Sequence, residues 1–172
     1  MNMNLRWKFF LQKFIASNAM LYSFFYSSFN KYLFMKNTIL ISAFPGTGKS
    51  YLFENSKKIV LDSDSSKFDK SKFPENYIEH IKSHIGYVDI ICISSHLEVR
   101  KALEENNIFF HLVYPDIRSK SEYIERYKQR GSDVKFISLI SANWAKWLTE
   151  LHNQKNCKQV VLNSGQFISD LY

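Results

Sequence analysis

The stretch ILISAFPGTGKSYLF, residues 39–53, decides how the rest of the chain is read. Ile39–Ala43 is a short apolar run of the length and composition of a buried strand. It breaks at Phe44 and Pro45 into Gly46-Thr47-Gly48-Lys49-Ser50, after which an apolar-periodic helix begins. The spacing Ala43, four residues, then Gly48-Lys49-Ser50 is that of a loop that holds phosphates, and it stands between a strand and a helix as that chemistry requires. Gly46 and Gly48 let the backbone turn its amides around an anion, and the helix that follows presents its positive end. Lys49 bridges β- and γ-phosphates and the Ser50 hydroxyl ligates Mg²⁺. The expected ligand is ATP with Mg²⁺, held by Pro45, Gly46, Thr47, Gly48, Lys49, Ser50 and Tyr51. The alternative is a glycine-rich turn in a domain that has lost its ligand.

Outward from this loop the pattern alternates. Short apolar runs at residues 58–61, 88–94, 109–114 and 159–162 predict four further strands. Helical patterns lie between them at residues 75–84, 95–106, 119–130 and 133–153. Ser95 with Glu98 fits a capping box, and Ser132 stands just before the last helix. That helix carries Phe136, Leu139, Ile140, Trp144, Trp147, Leu148 and Leu151 as one apolar stripe, read as core. Near-continuous apolar strands alternating with helices predict an α/β fold, a parallel sheet with helices on both faces.

The second predicted strand runs into Asp62-Ser63-Asp64-Ser65-Ser66, which places two carboxylates at the carboxyl edge where open α/β sheets bind ligands. Alternate residues of an extended chain point the same way, so Asp62 and Asp64 are expected to converge. One would deprotonate or orient an acceptor, and the other, assigned to Asp62 together with Ser50, would hold Mg²⁺ in part through water. The competing reading is an Asx turn that caps a helix. The third strand ends in Ser94-Ser95-His96 with no acid, which argues against ordinary GTPase or motor ATPase chemistry. His96 is read as a solvated residue of a helix's first turn, with contact to substrate as the alternative, and Arg100 as a partner of an acceptor phosphate or of a neighbouring acid. Arg126 and Arg130, four apart, share one face of a helix ended by Gly131, where they can clamp a transferring phosphoryl group. Arg118 and Lys128 add charge nearby. The plainer alternative is a solvated helix with Glu122 paired to Arg126.

The bulk properties limit the choices. The 172 residues, 45% of them hydrophobic, suit one domain with one substantial core. Cys92 and Cys157 have neither metal-ligand nor disulfide-scaffold spacing and read as thiols of a reducing compartment, the cytoplasm. The net charge of +7 is unevenly placed: residues 1–34 hold four bases and no acid, which leaves only +3 on the remainder. That discounts nucleic acid as the partner. Residues 1–34 form a separate aromatic and basic extension, with Met35 a natural start for the domain at 35–172. The uncharged stretch at 14–30 is broken by Ser and Asn, poor for a spanning helix. Trp7, Phe10, Leu11 and Phe14 recur at the spacing of an amphipathic surface helix.

Together, FPGTGKS, DSDSS and the compact YIERYKQRG segment resemble the small P-loop kinases, in particular nucleotide-kinase-like proteins of bacteriophages and bacteria related to nucleoside monophosphate kinases. The resemblance covers residues 35–172. It implies a three-layer P-loop NTPase fold with sheet order 2-3-1-4-5. It also implies Lys49 and Ser50 on ATP-Mg, Asp62 or Asp64 toward the acceptor, and Arg126 and Arg130 in a lid. The segment between strands two and three is short for an adenylate kinase, and the lid has no zinc or hairpin insertion. The expected activity is transfer of the γ-phosphoryl of ATP to a small acceptor, a nucleoside or deoxynucleoside monophosphate. The alternatives are a kinase for a hydroxyl on nucleic acid and an ATP-binding regulatory protein that transfers nothing.

Overall fold

A computed structural model describes residues 36–172, so the extension at 1–34 and its amphipathic pattern lie outside the described residues. The chain forms β1 (Ile39–Ala43), α1 (Lys49–Asn55), β2 (Val60–Asp62), α2 (Glu75–His84), β3 (Ile90–Ser94), α3 (Leu97–Glu105), β4 (His111–Pro115), α4 (Lys120–Gln129), α5 (Val134–His152) and β5 (Lys158–Leu162). Single 3-10 turns occur at Ser65–Lys67, Lys70–Lys72, Ile117–Ser119 and Ile168–Asp170. The five strands make one parallel sheet in the order β2-β3-β1-β4-β5. β1 sits at its centre, with Ile41 level with Cys92 of β3 and His111 of β4.

The alternation of side chains along each strand divides the interior in two. Leu40, Ile91, Ile93, Leu112 and Tyr114 point into the larger core, which α2, α3, α4 and α5 close with residues such as Ile81, Leu103, Tyr127 and Trp144. Ile41, Ala43, Ile90, Cys92 and Val113 point to the other side, where Leu52 of α1 and Ile168 of the last 3-10 turn cover them. Both faces of the strands are therefore apolar, which is why the central strands read as continuous hydrophobic runs. No helix among the described residues is long and apolar enough to cross a membrane.

Two helix starts differ from the sequence reading. α3 begins one residue later than a Ser95 cap would place it: His96 is the cap residue and no side chain caps the helix. The Ser95 carbonyl instead accepts from Arg100 Nε at 3.0 Å. α5 is capped by Asp133 rather than Ser132, its carboxylate accepting from the amides of Lys135 and Phe136 at 2.7 and 3.4 Å. Asp133→Ala is expected to cost about 1 kcal/mol, or roughly 3–5 °C in Tm by far-UV circular dichroism. Ser132→Ala should leave Tm unchanged, since that hydroxyl meets only the exposed Arg130 side chain.

α4 ends as its glycine requires. Gly131 takes φ +73°, its amide donates to the Lys128 carbonyl, and the Ser132 amide donates to Tyr127, both at 2.9 Å. This is the paired bond pattern of a left-handed helix end.

Candidate functional site

The loop between β1 and α1 is built around its own backbone. The Thr47 hydroxyl donates to the Phe44 carbonyl at 2.7 Å and is buried with it. The Ile168 amide donates to the Thr47 carbonyl at 3.0 Å, which ties the loop to the last 3-10 turn. From the α4 side, Tyr127 Oη donates to the Pro45 carbonyl at 2.8 Å. Gly46 and Gly48 adopt φ +81° and +96°, values that side chains disfavour. Among the described residues, no backbone carbonyl accepts from the amides of residues 46–51.

The Lys49 ammonium donates to the Ala43 carbonyl at 3.0 Å and forms no ion pair among the described residues. Burial pulls its pKa below the ordinary lysine value, Arg130 adds to that, and Cys92, Asp62 and Asp64 oppose it. A cation desolvated in this way, with carboxylates nearby but no ion pair among the described residues, is suited to an anion that meets it directly.

A cleft of about 950 Å³ opens over this loop. Of the residues predicted from the sequence, it brings together Pro45, Gly46, Gly48, Lys49, Ser50, Tyr51, Asp64, Arg126 and Arg130. Thr47 and Asp62 do not line it. Thr47 lies beneath the loop, and Asp62 meets it through Ser50, whose hydroxyl donates to Asp62 Oδ2 at 3.3 Å.

The two aspartates have different surroundings. Asp64 caps the 3-10 turn that follows it, accepting from the Ser66 amide at 2.9 Å and the Ser66 hydroxyl at 2.8 Å. Those bonds, led by the backbone one, hold its carboxyl below the usual range. The Asx-turn reading therefore describes Asp64, while Asp62 pairs with the loop serine. Ser50 and Asp62 are hard oxygen donors of the kind Mg²⁺ takes. Among the described residues no group of three or more His, Cys, Asp or Glu is placed to hold a metal. Mg²⁺ here would take its remaining oxygens from phosphate and water, the usual arrangement for this ion.

The arginines of α4 are built in differently as well. Arg126 Nη1 donates to the Gly46 carbonyl at 3.2 Å, and Nη2 donates to the Gln166 carbonyl at 3.3 Å and to Glu122. Its guanidinium lies 3.9 Å from the Phe167 ring centroid and 4.6 Å from that of Tyr123. The Glu122–Arg126 pair is thus present, but it is not a solvated surface pair. Glu122 also accepts from the Ser164 hydroxyl at 2.7 Å and the Gly165 amide at 3.0 Å, so α4 holds the loop after β5. Arg130 is exposed, stacks over Tyr127 and donates to Ser132 at 2.7 Å. Arg118 and Lys128 do not line the cleft, and each pairs with an acid, Asp116 at 2.9 Å and Glu125 at 3.6 Å.

Sequence reasoning missed three contributors: Gln129, Phe136 and Phe167 line the same cleft. Phe167 also packs so close to Gly48 that a Cβ there would lie 3.1 Å from its ring. A lone aromatic five residues beyond a strand carries no local signal of this contact.

The segment between β2 and β3 is pinned by Tyr77 of α2. Its hydroxyl donates to the Ser63 carbonyl at 2.6 Å and accepts from the Ser94 amide at 3.4 Å, linking the exits of β2 and β3. His96 is exposed at the start of α3, and Arg100, 3% exposed, bonds Ser95 and Gln154. No known protein family matches the chain, and no curated protein matches it.

Proposed function

We propose that the chain is a P-loop phosphotransferase that moves the γ-phosphoryl of ATP to a small acceptor, a nucleoside or deoxynucleoside monophosphate. One observation supports this most: a single cleft is lined by Gly46, Gly48, Lys49, Ser50 and Tyr51, whose amides have no carbonyl partner among the described residues, together with the Arg126 and Arg130 guanidiniums. The loop amides and Lys49 receive the β- and γ-phosphates. Arg130 approaches the transferring group from α4, and Arg126 fixes α4 on the loop.

An oxygen of the acceptor phosphate attacks the γ-phosphorus, the bond from phosphorus to the bridging oxygen breaks, and its electron pair leaves on ADP. Such an acceptor oxygen is already ionised at neutral pH, so the step needs no strong base. For a hydroxyl acceptor, Asp62 or Asp64 would take the proton. Ser50, with Asp62 behind it, would hold Mg²⁺, which would supply charge neutralisation on the phosphate oxygens.

ADP release by the 172-residue protein with ATP-Mg, measured against the ribo- and deoxynucleoside monophosphates and a 5′-hydroxyl oligonucleotide, tests the reading. Stimulation by one monophosphate is the expected result. Stimulation by the oligonucleotide alone would move the protein to the nucleic-acid kinases. ATP binding with no acceptor-dependent release would sink the kinase reading in favour of a protein that only binds.

A further inference from the structure

A second cavity, of about 420 Å³, shares Pro45 and Phe136 with the phosphate cleft and extends between the start of α3 and one side of α5. Its volume lies within the range of small-molecule sites. Phe44, Leu97, Leu139, Trp147 and Phe136 give it apolar walls. This divides the α5 stripe: Trp144 and Leu148 are core, whereas Phe136, Leu139 and Trp147 face the cavity, and Leu139 is 54% exposed.

Two charged groups stand in those walls, Arg100 and Glu150. Arg100 uses Nε on the Ser95 carbonyl and Nη1 on Gln154 Oε1, which leaves Nη2 without an acceptor among the described residues. The half-buried Glu150 carboxylate accepts no hydrogen bond and forms no ion pair among the described residues. The two are near enough that Glu150 raises the Arg100 pKa against the stronger lowering by burial. One unfilled donor and one unfilled acceptor thus lie in a largely apolar slot, whose other polar lining residues are Ser95 and His96. Neither group is among the fully buried unpartnered atoms, so in the cavity both can meet water, and a ligand that fills both replaces that water with bonds in an apolar surrounding.

We propose that this cavity takes the base of the acceptor nucleotide, its ring against Phe136 and Trp147 and its hydrogen-bonding edge between Arg100 and Glu150. A nucleobase edge carries an acceptor next to an N–H donor, and its faces are apolar, which matches both features. The shared Pro45 and Phe136 put the nucleotide's phosphate on the side of the phosphate cleft. The inference rests on the phosphotransferase reading for what the bound nucleotide then does.

Titration calorimetry on the full chain without ATP, using AMP, GMP, CMP, UMP and dTMP as probes and ribose 5-phosphate as the base-free comparison, tests it. At least one monophosphate should bind 10-fold or more tighter than ribose 5-phosphate. Glu150→Gln should weaken that binding about 10- to 100-fold. Leu139→Arg, at an exposed position where folding is not at stake, should weaken it by filling the cavity. ATP affinity should stay unchanged in both variants.

Equal binding of ribose 5-phosphate, no monophosphate binding, or full binding by both variants would overturn the proposal. Phosphoryl transfer with an acceptor KM indifferent to both substitutions would remove the base site and leave the phosphotransferase standing. Monophosphate binding lost in both variants, with no transfer in the wild type, would establish the base site and remove the phosphotransferase.

Discussion

Lys49→Ala is expected to lower kcat for ADP release by about 10²–10³ while leaving Tm unchanged or slightly higher. The reason for the split lies in how the ammonium is held. It is half-buried, its pKa is depressed first by burial, and its one side-chain hydrogen bond among the described residues is to the Ala43 carbonyl. The folded protein thus disfavours the charged lysine, so removing the charge relieves a cost of folding. Alanine is also the best residue for the first turn of α1. On the proposed function, a bound polyphosphate would supply countercharge beyond that of Asp62 and Asp64, which would tie the group to the ligand and not to the fold. Parallel measurement of thermal unfolding and turnover separates the two. Loss of turnover at constant Tm is the expected result, and full turnover in the variant would remove Lys49 from the phosphate site.

Gly46→Ala is expected to destabilise the protein by roughly 2–5 kcal/mol. About 1–2 kcal/mol comes from placing a side chain at φ +81°. The rest is overpacking, typically about 1–3 kcal/mol, because the new Cβ would lie 2.7 Å from Tyr127 Cε1 and 3.4 Å from Tyr123 Cδ1. The Tyr127 ring is poorly able to give way: it is fully buried, bonded to Pro45 through its hydroxyl, and packed edge-on against Phe136 at 5.3 Å. A Tm lower by about 5–15 °C is expected, with ATP binding lost in calorimetry even where the protein remains folded. Gly165→Ala is the comparison, since φ is +78° there but nothing lies within 4 Å of the added carbon, so only the conformational part should appear. Equal effects at the two glycines would show that the Tyr127 contact matters little.

What the sequence could reveal followed the range of the interactions. The strand, loop and helix at residues 39–55 were legible because the loop must place glycines where φ is positive and a lysine one residue later, requirements met by neighbours in sequence. Sheet order 2-3-1-4-5 followed from the resemblance to P-loop kinases, since periodicity alone cannot say which parallel strands pair. Arg126 and Arg130 could be put on one face by their spacing. What Arg126 holds could not be read, because Gly46 and Gln166 lie far from it in sequence. The start of α3 differs for the same kind of reason: Ser95 and Glu98 satisfy a local pattern, but the chain turns one residue later, with His96 at the cap and Arg100 reaching back to the Ser95 carbonyl. The α5 stripe hid the second cavity, since periodicity marks a face as apolar without saying whether it meets protein or a space.

The pairing of Arg126 with Glu122 bears on how the cleft behaves at a distance. Arg118 and Lys128 are likewise matched by Asp116 and Glu125, and the carboxylates of Asp62 and Asp64 lie near Lys49, which leaves Arg130 as the exposed cation of the cleft with no acid partner among the described residues. The field that reaches solution is then chiefly that of the Arg130 guanidinium, which salt screens beyond about a Debye length. On the proposed function, an anion would be held by close fit once it arrives more than drawn in from afar, and its binding should depend only modestly on ionic strength. A surface that tracks a polyanionic strand works the other way, with a row of unmatched cations and a steep dependence on salt.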